Sequence, residues 1–287
     1  MIHKLYIILQ DFQKQMNRKN IGSFAASTAF FLFLSLVPML IMLCTIIPFT
    51  SLTEENLLQA VAELVPETLT PLLTSLIADV YEKSAGVLSI AAIATLWSAG
   101  KGMLALIRGL NEVNEVEEDR NYFLLRTIAS LYTLVLLVVV LISLLVNVFG
   151  NVLLDMISAR VPQARVLFDF AMHFRFLAVW LLLSVLFTAI YTYVPNKKLK
   201  FGMQIPGAVF SAVVWSIFSW GFAIYVEAGN GFNIYGSLSL IIIIMLWLYF
   251  CIYIILIGAQ INRYFGPAYR VVYRNRKEKR KKRGGST

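Results

Sequence analysis

Residues 237–261 read SLSLIIIIMLWLYFCIYIILIGAQI, a run of 25 positions without a single Asp, Glu, Lys or Arg. A helix rises about 1.5 Å per residue, so this run exceeds the roughly 30 Å of a bilayer's hydrocarbon core. Ten of the 25 Lys and Arg residues of the chain follow it, all after Asn262. Because Lys and Arg that flank an apolar span stay on the cytoplasmic side, these two features predict a membrane-spanning helix that ends in the cytoplasm.

Composition extends this prediction to the whole chain. Of the 287 residues, 59% are hydrophobic and 14% are charged, whereas an average soluble domain has about 45–50% and about 25%. Four more apolar runs are long enough to cross a membrane: Ser23–Phe49, Tyr122–Phe149, Phe174–Val194 and Ile205–Val226. The sequence therefore predicts a polytopic membrane protein.

A sixth span is predicted from a shorter apolar run, Gly86–Ser98. It crosses the membrane if the helix continues to Leu110, and Lys101 then lies near the inner boundary, where its long side chain reaches the headgroups. Without this span, the basic loop around Lys197 and the basic tail fall outside the cell. With six spans and both termini in the cytoplasm, 21 of the 25 Lys and Arg residues lie inside and four outside, which is the arrangement that the positive-inside rule favours.

The expected fold class is all-α, with three segments in addition to the spans. Residues 1–21 are predicted to form a cytoplasmic amphipathic helix on the membrane surface, and 22–262 to form the six-helix transmembrane domain. An outer pair of amphipathic helices is expected at about 53–83, from two capping signals that precede apolar residues at helical spacing. Residues 263–287 are predicted to be a disordered, cytoplasmic polybasic tail, because they carry too little apolar surface to fold alone.

Small residues on the first span predict close helix packing. Ser23, Ser27, Ser35 and Pro38 fall near one helical face, and small polar side chains let a neighbouring helix approach. A stripe that lines a substrate path is the alternative interpretation.

Charged residues within the second span give the first candidate binding site. Trp97, Lys101 and Arg108 lie near one face of the helix, and Asn111 continues that face toward the following loop. Cations inside a membrane usually face the bundle interior or contact an anion. The residues are therefore candidates for binding a substrate or lipid, with snorkelling anchors at the helix end as the alternative.

Polar residues before the last span are candidates for hydrogen bonds on the outer side. Asn230, Asn233, Tyr235 and Ser237 lie in a Gly-rich break, and irregular backbone at a membrane can line a cavity. A tight extracellular turn explains the same residues equally well.

Neither a catalytic site nor a metal site is expected. His3 and His173 fall on opposite sides of the membrane in the predicted topology, and no nucleophile and base can be paired. The acidic loop at residues 112–119 has no spacing of an established calcium or magnesium site. We therefore expect no cofactor, no metal ion and no enzymatic activity.

Three stretches carry a resemblance to a known family: FAASTAFFLFLSLVPMLIML in the first span, LWSAGKGMLALIRGLNEVNEVEE in the second span and its loop, and NIYGSLSLIIIIMLWLYFCIYIILIGAQIN in the sixth. In order and spacing the chain resembles the YihY/BrkB family of bacterial inner-membrane proteins from Gly22 to Asn262. Gln260 stands where that family often has Glu. The resemblance implies six helices and a multi-pass location in the cytoplasmic membrane.

The family was long labelled ribonuclease BN, so the resemblance does not assign one activity. The first hypothesis is a transporter or lipid-handling protein for an amphiphilic or anionic solute. The second is a non-transporting scaffold for envelope assembly, and a membrane-tethered ribonuclease is a distant third. Expected partners are membrane lipids, with anionic lipid at the tail, and envelope proteins; no specific nucleic acid is expected.

Overall fold

The structure is a computed structural model that describes residues 2–46, 85–136, 138–139, 175–228 and 237–284, together with isolated positions between 54 and 78. Its helices are α1 Ile2–Arg18, α2 Ile21–Ile46, α3 Ala85–Asn114, α4 Tyr122–Leu136, α5 Arg175–Tyr193, α6 Phe201–Ala228 and α7 Ser237–Gly284. These described ranges contain no β-strand. The all-α class is thus confirmed for this part of the chain.

Two of these helices are long and apolar enough to cross a membrane. Their apolar portions are Phe201–Val226 in α6 and Ile241–Pro267 in α7, with mean hydropathies of 1.8 and 2.8. Shorter apolar stretches occupy Ile21–Ser35, Tyr122–Leu136 and Val179–Tyr193. The count of six spans stays a prediction.

The basic tail differs from its predicted state. Helix α7 continues through Gly284, so the prediction of disorder is wrong for residues 263–284. Lys, Arg and Glu favour helix, and the chain has neither Gly nor Pro between Pro267 and Gly284. Because α7 already provides the helical nucleus, each further residue joins it at little cost.

The outer helical pair lies mostly outside the described residues. Its described positions are all helical and comprise Glu54, Glu55, Leu58, Gln59, Thr70, Thr74, Ser75, Ile77 and Ala78. The pair therefore stays a prediction.

Helix α7 is the central element of the described bundle. It packs against α2 and α3 on one side and against α6 on the other, and α5 packs on α6. The core contains mainly aliphatic side chains, with Ile107 and Leu110 from α3 and Leu256 from α7 fully buried. Large apolar side chains such as Leu181, Leu182 and Trp220 remain exposed, as expected for helix faces that contact lipid.

The crossing of α6 and α7 depends on two glycines. A Cβ atom on Gly207 would lie 2.1 Å from the Gly258 carbonyl oxygen, and one on Gly258 would lie 2.0 Å from Ser211 Oγ. The backbones therefore touch. The Tyr191 hydroxyl of α5 contacts both helices at the crossing. It donates to the Ile255 carbonyl of α7 at 2.7 Å and lies 2.8 Å from Ser211 Oγ of α6.

Asn262 ties α7 to the first turns of α6, where Pro206 lacks an N–H group. Its Oδ1 accepts a hydrogen bond from Gly207 N at 2.7 Å, and its Nδ2 donates to the Gln204 carbonyl at 2.9 Å. The side chain thereby binds backbone groups on both sides of Pro206. This contact fixes the end of the bundle at which the functional site lies.

Candidate functional site

A cleft opens where α3 ends, α6 begins and α7 leaves its apolar portion; we call this side of the bundle the polar end. The cleft has a volume of about 840 Å³. Its walls come from the α3–α4 loop, the α5–α6 loop and facing turns of α6 and α7, and they include Glu115, Glu117, Asp119, Asn196, Lys197, Lys198, Lys200, Gln204, Asn262 and Arg263.

Glu115 forms the centre of the acidic wall. It follows the last residue of α3 in a left-handed conformation (φ 55°), and two backbone bonds close the turn, from Glu115 N to Glu112 O and from Val116 N to Asn111 O. This is a Schellman motif, in which glycine is the usual residue at the left-handed position. Here the position carries a glutamate, whose side chain forms two ion pairs. One oxygen lies 3.0 Å from Lys19 Nζ, and the other lies 2.5 Å from Arg263. Hydrogen bonds from Arg263 and Lys19 lower the pKa of Glu115 to about 2.

Lys19 is a buried cation that joins three helices at the polar end. Only 4% of its side chain is exposed. Besides Glu115, its ammonium donates to the Val113 carbonyl at 2.8 Å and to Gln260 Oε1 at 3.3 Å. A buried ammonium is tolerated when it is paired and hydrogen-bonded in this way. The turn between α1 and α2 is thereby fixed to the end of α3 and to the middle of α7.

Asn111 and Asn196 organise the loop above the cleft. Asn111 donates to Glu118 at 2.7 Å and accepts a hydrogen bond from Asn196 N at 2.9 Å, while Asn196 donates to Asp119. Arg120 binds both oxygens of Glu118. Its hydrogen bond is the main cause of the lowered pKa of Glu118, and the same pair raises the pKa of Arg120.

The basic wall carries positive charge that is not neutralised within the described part of the chain. Lys197, Lys198 and Lys200 are exposed, and no described side chain forms an ion pair with them. On the opposite wall, Lys19 and Arg263 neutralise Glu115, whereas Asp119 has only the neutral Asn196 as a partner and Glu117 forms no ion pair in the described residues. The unpaired lysines thus outnumber the unpaired carboxylates of the cleft by three to two, which leaves a small excess of positive charge.

The candidate residues of the second span are only partly brought together. Asn111 is buried and belongs to the loop network, whereas Lys101 and Arg108 are exposed on α3, outside the cleft lining. Trp97 is 42% exposed and stacks on the guanidinium of Arg126, which lies 5.3 Å from the ring centroid.

The remaining candidate positions are placed as follows. Asn230, Asn233 and Tyr235 lie outside the described residues, and Ser237 is the first residue of α7. On α2, Ser23 is exposed, Ser27 is half-buried and Ser35 is buried, with its hydroxyl bonded to the Leu32 carbonyl at 2.7 Å. Pro38 lies within the helix.

Sequence reasoning missed Lys19, Asn196, Asn262 and Arg126. Lys19 and Asn196 lie in short turns among other polar residues, where they resemble ordinary surface positions. Arg126 offered a clearer signal, because it is the one basic residue in the apolar run Tyr122–Phe149. Within the described ranges, no group of three or more His, Cys, Asp or Glu side chains could hold a metal ion.

Long apolar helices, exposed aliphatic faces and a polar end with a charged cleft define an α-helical membrane protein. The family described as virulence factor BrkB matches residues 12–284. The chain belongs to this family, and the resemblance read from its sequence is confirmed.

Relatives agree with this placement. The chain is 33% identical over 249 residues to the ribonuclease-like protein YfkH of Bacillus subtilis, a match that covers 83% of this chain and 87% of YfkH. It is 38% identical over 88 residues to the UPF0761 membrane protein VV0203 of Vibrio vulnificus, across 30% of this chain and 28% of that protein. No solved structure matches the chain.

Proposed function

We propose that this protein is an integral, multi-pass protein of the bacterial cytoplasmic membrane that binds an anionic amphiphile at the polar end and moves it between leaflets. In this proposal the chain spans the membrane six times, both termini are cytoplasmic, and the cleft opens toward the cytoplasm. The role is non-enzymatic. The ribonuclease-like name belongs to YfkH.

One observation carries the proposal: three unpaired lysines line the cleft, and the carboxylate at the centre of the opposite wall is already neutralised. Glu115 is neutralised by Lys19 and Arg263, while Lys197 and Lys198 have no ion-pair partner within the described residues. An anionic headgroup would meet uncompensated positive charge next to apolar helix faces. A membrane-tethered scaffold has no need of such a cleft.

Charge distribution supports the orientation. All the basic residues of the cleft are among the 21 that the six-span topology places inside. Lys101 and Arg108 lie on the same side and are exposed on α3. There they can contact headgroups beside the bundle, as cations near a helix end commonly do.

A lipid-movement assay tests the function. The full-length protein is reconstituted into phosphatidylcholine vesicles with a trace of fluorescent phosphatidylglycerol, and dithionite quenches the lipid of the outer leaflet. We expect quenching to pass the plateau of protein-free vesicles. Replacing Lys197, Lys198 and Lys200 together with Gln should slow this movement roughly tenfold or more, because a basic residue near acidic lipid contributes about 1 kcal/mol.

The matched control replaces Lys4, Lys14 and Arg18 with Gln, which removes the same charge from exposed positions on α1. It should move lipid at the wild-type rate. Wild-type protein that leaves the plateau unchanged would contradict the proposed function and favour the scaffold. Equal rates for both triple variants would show that the cleft is not the site.

A further inference from the structure

A guanidinium lies inside the described bundle without an anionic partner. Arg126 of α4 is 2% exposed, and its NH2 group donates to the backbone carbonyl of Trp97 on α3. Its Nε has no hydrogen-bond partner, and no carboxylate in the described ranges pairs with it. A guanidinium stays protonated and has five N–H donors, so most of its binding capacity is unused.

The next turn of α4 adds a second unused group. Ser130 is 8% exposed and its Oγ has no partner. Other hydroxyls on these helices bond the carbonyl four residues before them, as Thr127 and Thr133 do at 2.9 Å. Ser130 lies four residues after Arg126, so both side chains occupy one helix face. That face meets α3 at Gly100, where an added Cβ would lie 2.8 Å from Ser130 Oγ. The two helices therefore touch at Ser130, and the space for a ligand lies on the Arg126 side of this contact.

The Trp97 ring stacks on the guanidinium of Arg126. Arg126 Cζ lies 5.3 Å from the centroid of the ring, and Trp97 itself is 42% exposed. Rotation of this partly exposed side chain would remove one of the groups that cover the guanidinium. Lys101 lies one turn along α3 and is also exposed. The spot thus has two cations, and no carboxylate in the described ranges pairs with either of them.

An unpaired charge in an apolar environment is costly, and an anion that accepts its hydrogen bonds removes most of that cost. Phosphate suits a guanidinium especially well, because its oxygens accept two parallel N–H bonds. In the proposed topology, Lys101 lies near the inner boundary of the membrane, where lipid phosphates are found.

We propose that Arg126 binds the phosphate group of an anionic ligand at the edge of the α3–α4 contact, and that Trp97 covers the guanidinium when the site is empty. Arg126 binds two phosphate oxygens, and the Trp97 ring moves aside. The site is separate from the cleft. It does not depend on whether the protein moves lipid.

Binding to the purified full-length protein tests the site. Native mass spectrometry in detergent measures retention of phosphatidylglycerol, with phosphatidylcholine and inorganic phosphate as separate probes. We expect Arg126→Gln to weaken phosphatidylglycerol binding at least tenfold, which corresponds to about 1.4 kcal/mol. Arg126→Lys keeps the positive charge but cannot donate two parallel N–H bonds to phosphate, so it should weaken binding less than Arg126→Gln. Arg18→Gln, which removes an exposed Arg on α1, should leave binding unchanged.

A second variant tests the site without replacing Arg126, in case the Arg126 variants fail to fold. Trp97→Leu keeps an apolar side chain but removes the aromatic ring that stacks on the guanidinium of the empty site, so phosphatidylglycerol should bind more tightly than in wild type. If the Trp97 and Arg126 pair were only a packing contact, this variant would lower the melting temperature without changing lipid binding. That result, combined with wild-type binding by Arg126→Gln, would overturn the proposal.

The probes separate the sources of phosphate. Competition by inorganic phosphate would identify a soluble phosphate ligand, and binding of phosphatidylglycerol without such competition would identify a lipid headgroup. If neither probe shows binding that depends on Arg126, the proposed site is wrong. Binding that depends on Arg126 in a protein that moves no lipid would support this site and contradict the proposed function, so the two can fail separately.

Discussion

Two regions of the bundle are held together by opposite kinds of contact. At the polar end, Lys19, Glu115 and Arg263 join α1, α3 and α7 through charge. At the crossing of α6 and α7, Gly207 and Gly258 bring the backbones into contact, and the hydrogen bonds are all between neutral groups. The dielectric surroundings account for the difference. Charged pairs cost less where water is near, while within an apolar bundle close packing and neutral hydrogen bonds avoid desolvating an ion.

The largest expected effect is at the crossing. Gly258→Ala places a Cβ 2.0 Å from Ser211 Oγ and 2.7 Å from the Gly207 carbonyl oxygen, so the two helices must separate. We expect the free energy of unfolding to fall by about 3 kcal/mol, at the upper end of typical overpacking costs. The melting temperature in detergent measures this loss.

Gly221→Ala is the matched control on α6. No atom lies within 4 Å of a Cβ built there, and alanine favours helix over glycine by about 1 kcal/mol. The control should melt at the wild-type temperature or slightly above it. Equal melting temperatures for the Gly258 and Gly221 variants would show that the crossing is looser than described.

The second prediction concerns the charged contact. Lys19→Met removes the ammonium that neutralises Glu115 and satisfies the Val113 carbonyl and Gln260. The loss of a buried partner costs about 3–5 kcal/mol when both groups are buried. Because the Glu115 side chain is 47% exposed, water replaces part of the interaction, and we expect a loss of about 2 kcal/mol. Chemical denaturation should detect it.

Lys14→Met provides the comparison, since Lys14 is exposed on α1. Its stability should match wild type. If the Lys19 variant were as stable as the Lys14 variant, α1 and α3 would be joined by apolar contacts alone.

A smaller effect is expected for the neutral hydrogen bonds. Tyr191→Phe removes the hydroxyl that contacts Ser211 and the Ile255 carbonyl, and Ser211 retains its bond to the Ile254 carbonyl at 3.1 Å. Hydrogen bonds between membrane helices contribute about 0.6 kcal/mol on average and at most about 1.7. Tyr193→Phe, at an exposed position two residues further, should be neutral. A loss above that of Gly258→Ala would reverse the ranking of the two contacts.

The last prediction concerns the dependence of stability on pH, which has no effect at neutral pH because Glu115 is ionised there. Its pKa falls from 4.5 to about 2 on folding, so the ionised form contributes stability above pH 4.5. This contribution is lost as pH falls through the folded pKa. Between pH 4.5 and 2, the melting temperature of wild type should therefore fall more than that of Glu115→Gln. Parallel curves would show that this carboxylate is not stabilised by Lys19 and Arg263.

Much of the fold could be predicted because it depends on local pattern. Long apolar runs predicted α6 and the apolar portion of α7, and the three quoted stretches pointed to the family. The tail was predicted wrongly, because composition shows that Arg270–Arg283 cannot build a core but does not reveal that a preceding helix propagates into it. Of the candidate site, Asn111 and the acidic loop that contains Glu118 were identified from the sequence, whereas their contact with each other and with Asn196 was not.

The sequence alone determined that this protein is helical, apolar enough for a membrane and a member of the BrkB family, because periodicity, run length and motif order are properties of neighbouring positions. Only the tertiary structure decided that Lys19 meets Glu115, that Gly207 faces Gly258 and that Arg126 lies beneath Trp97. These contacts depend on the order, rotation and depth of helices that are far apart in the chain. A single apolar run is compatible with many such arrangements, and the close packing of side chains selects among them.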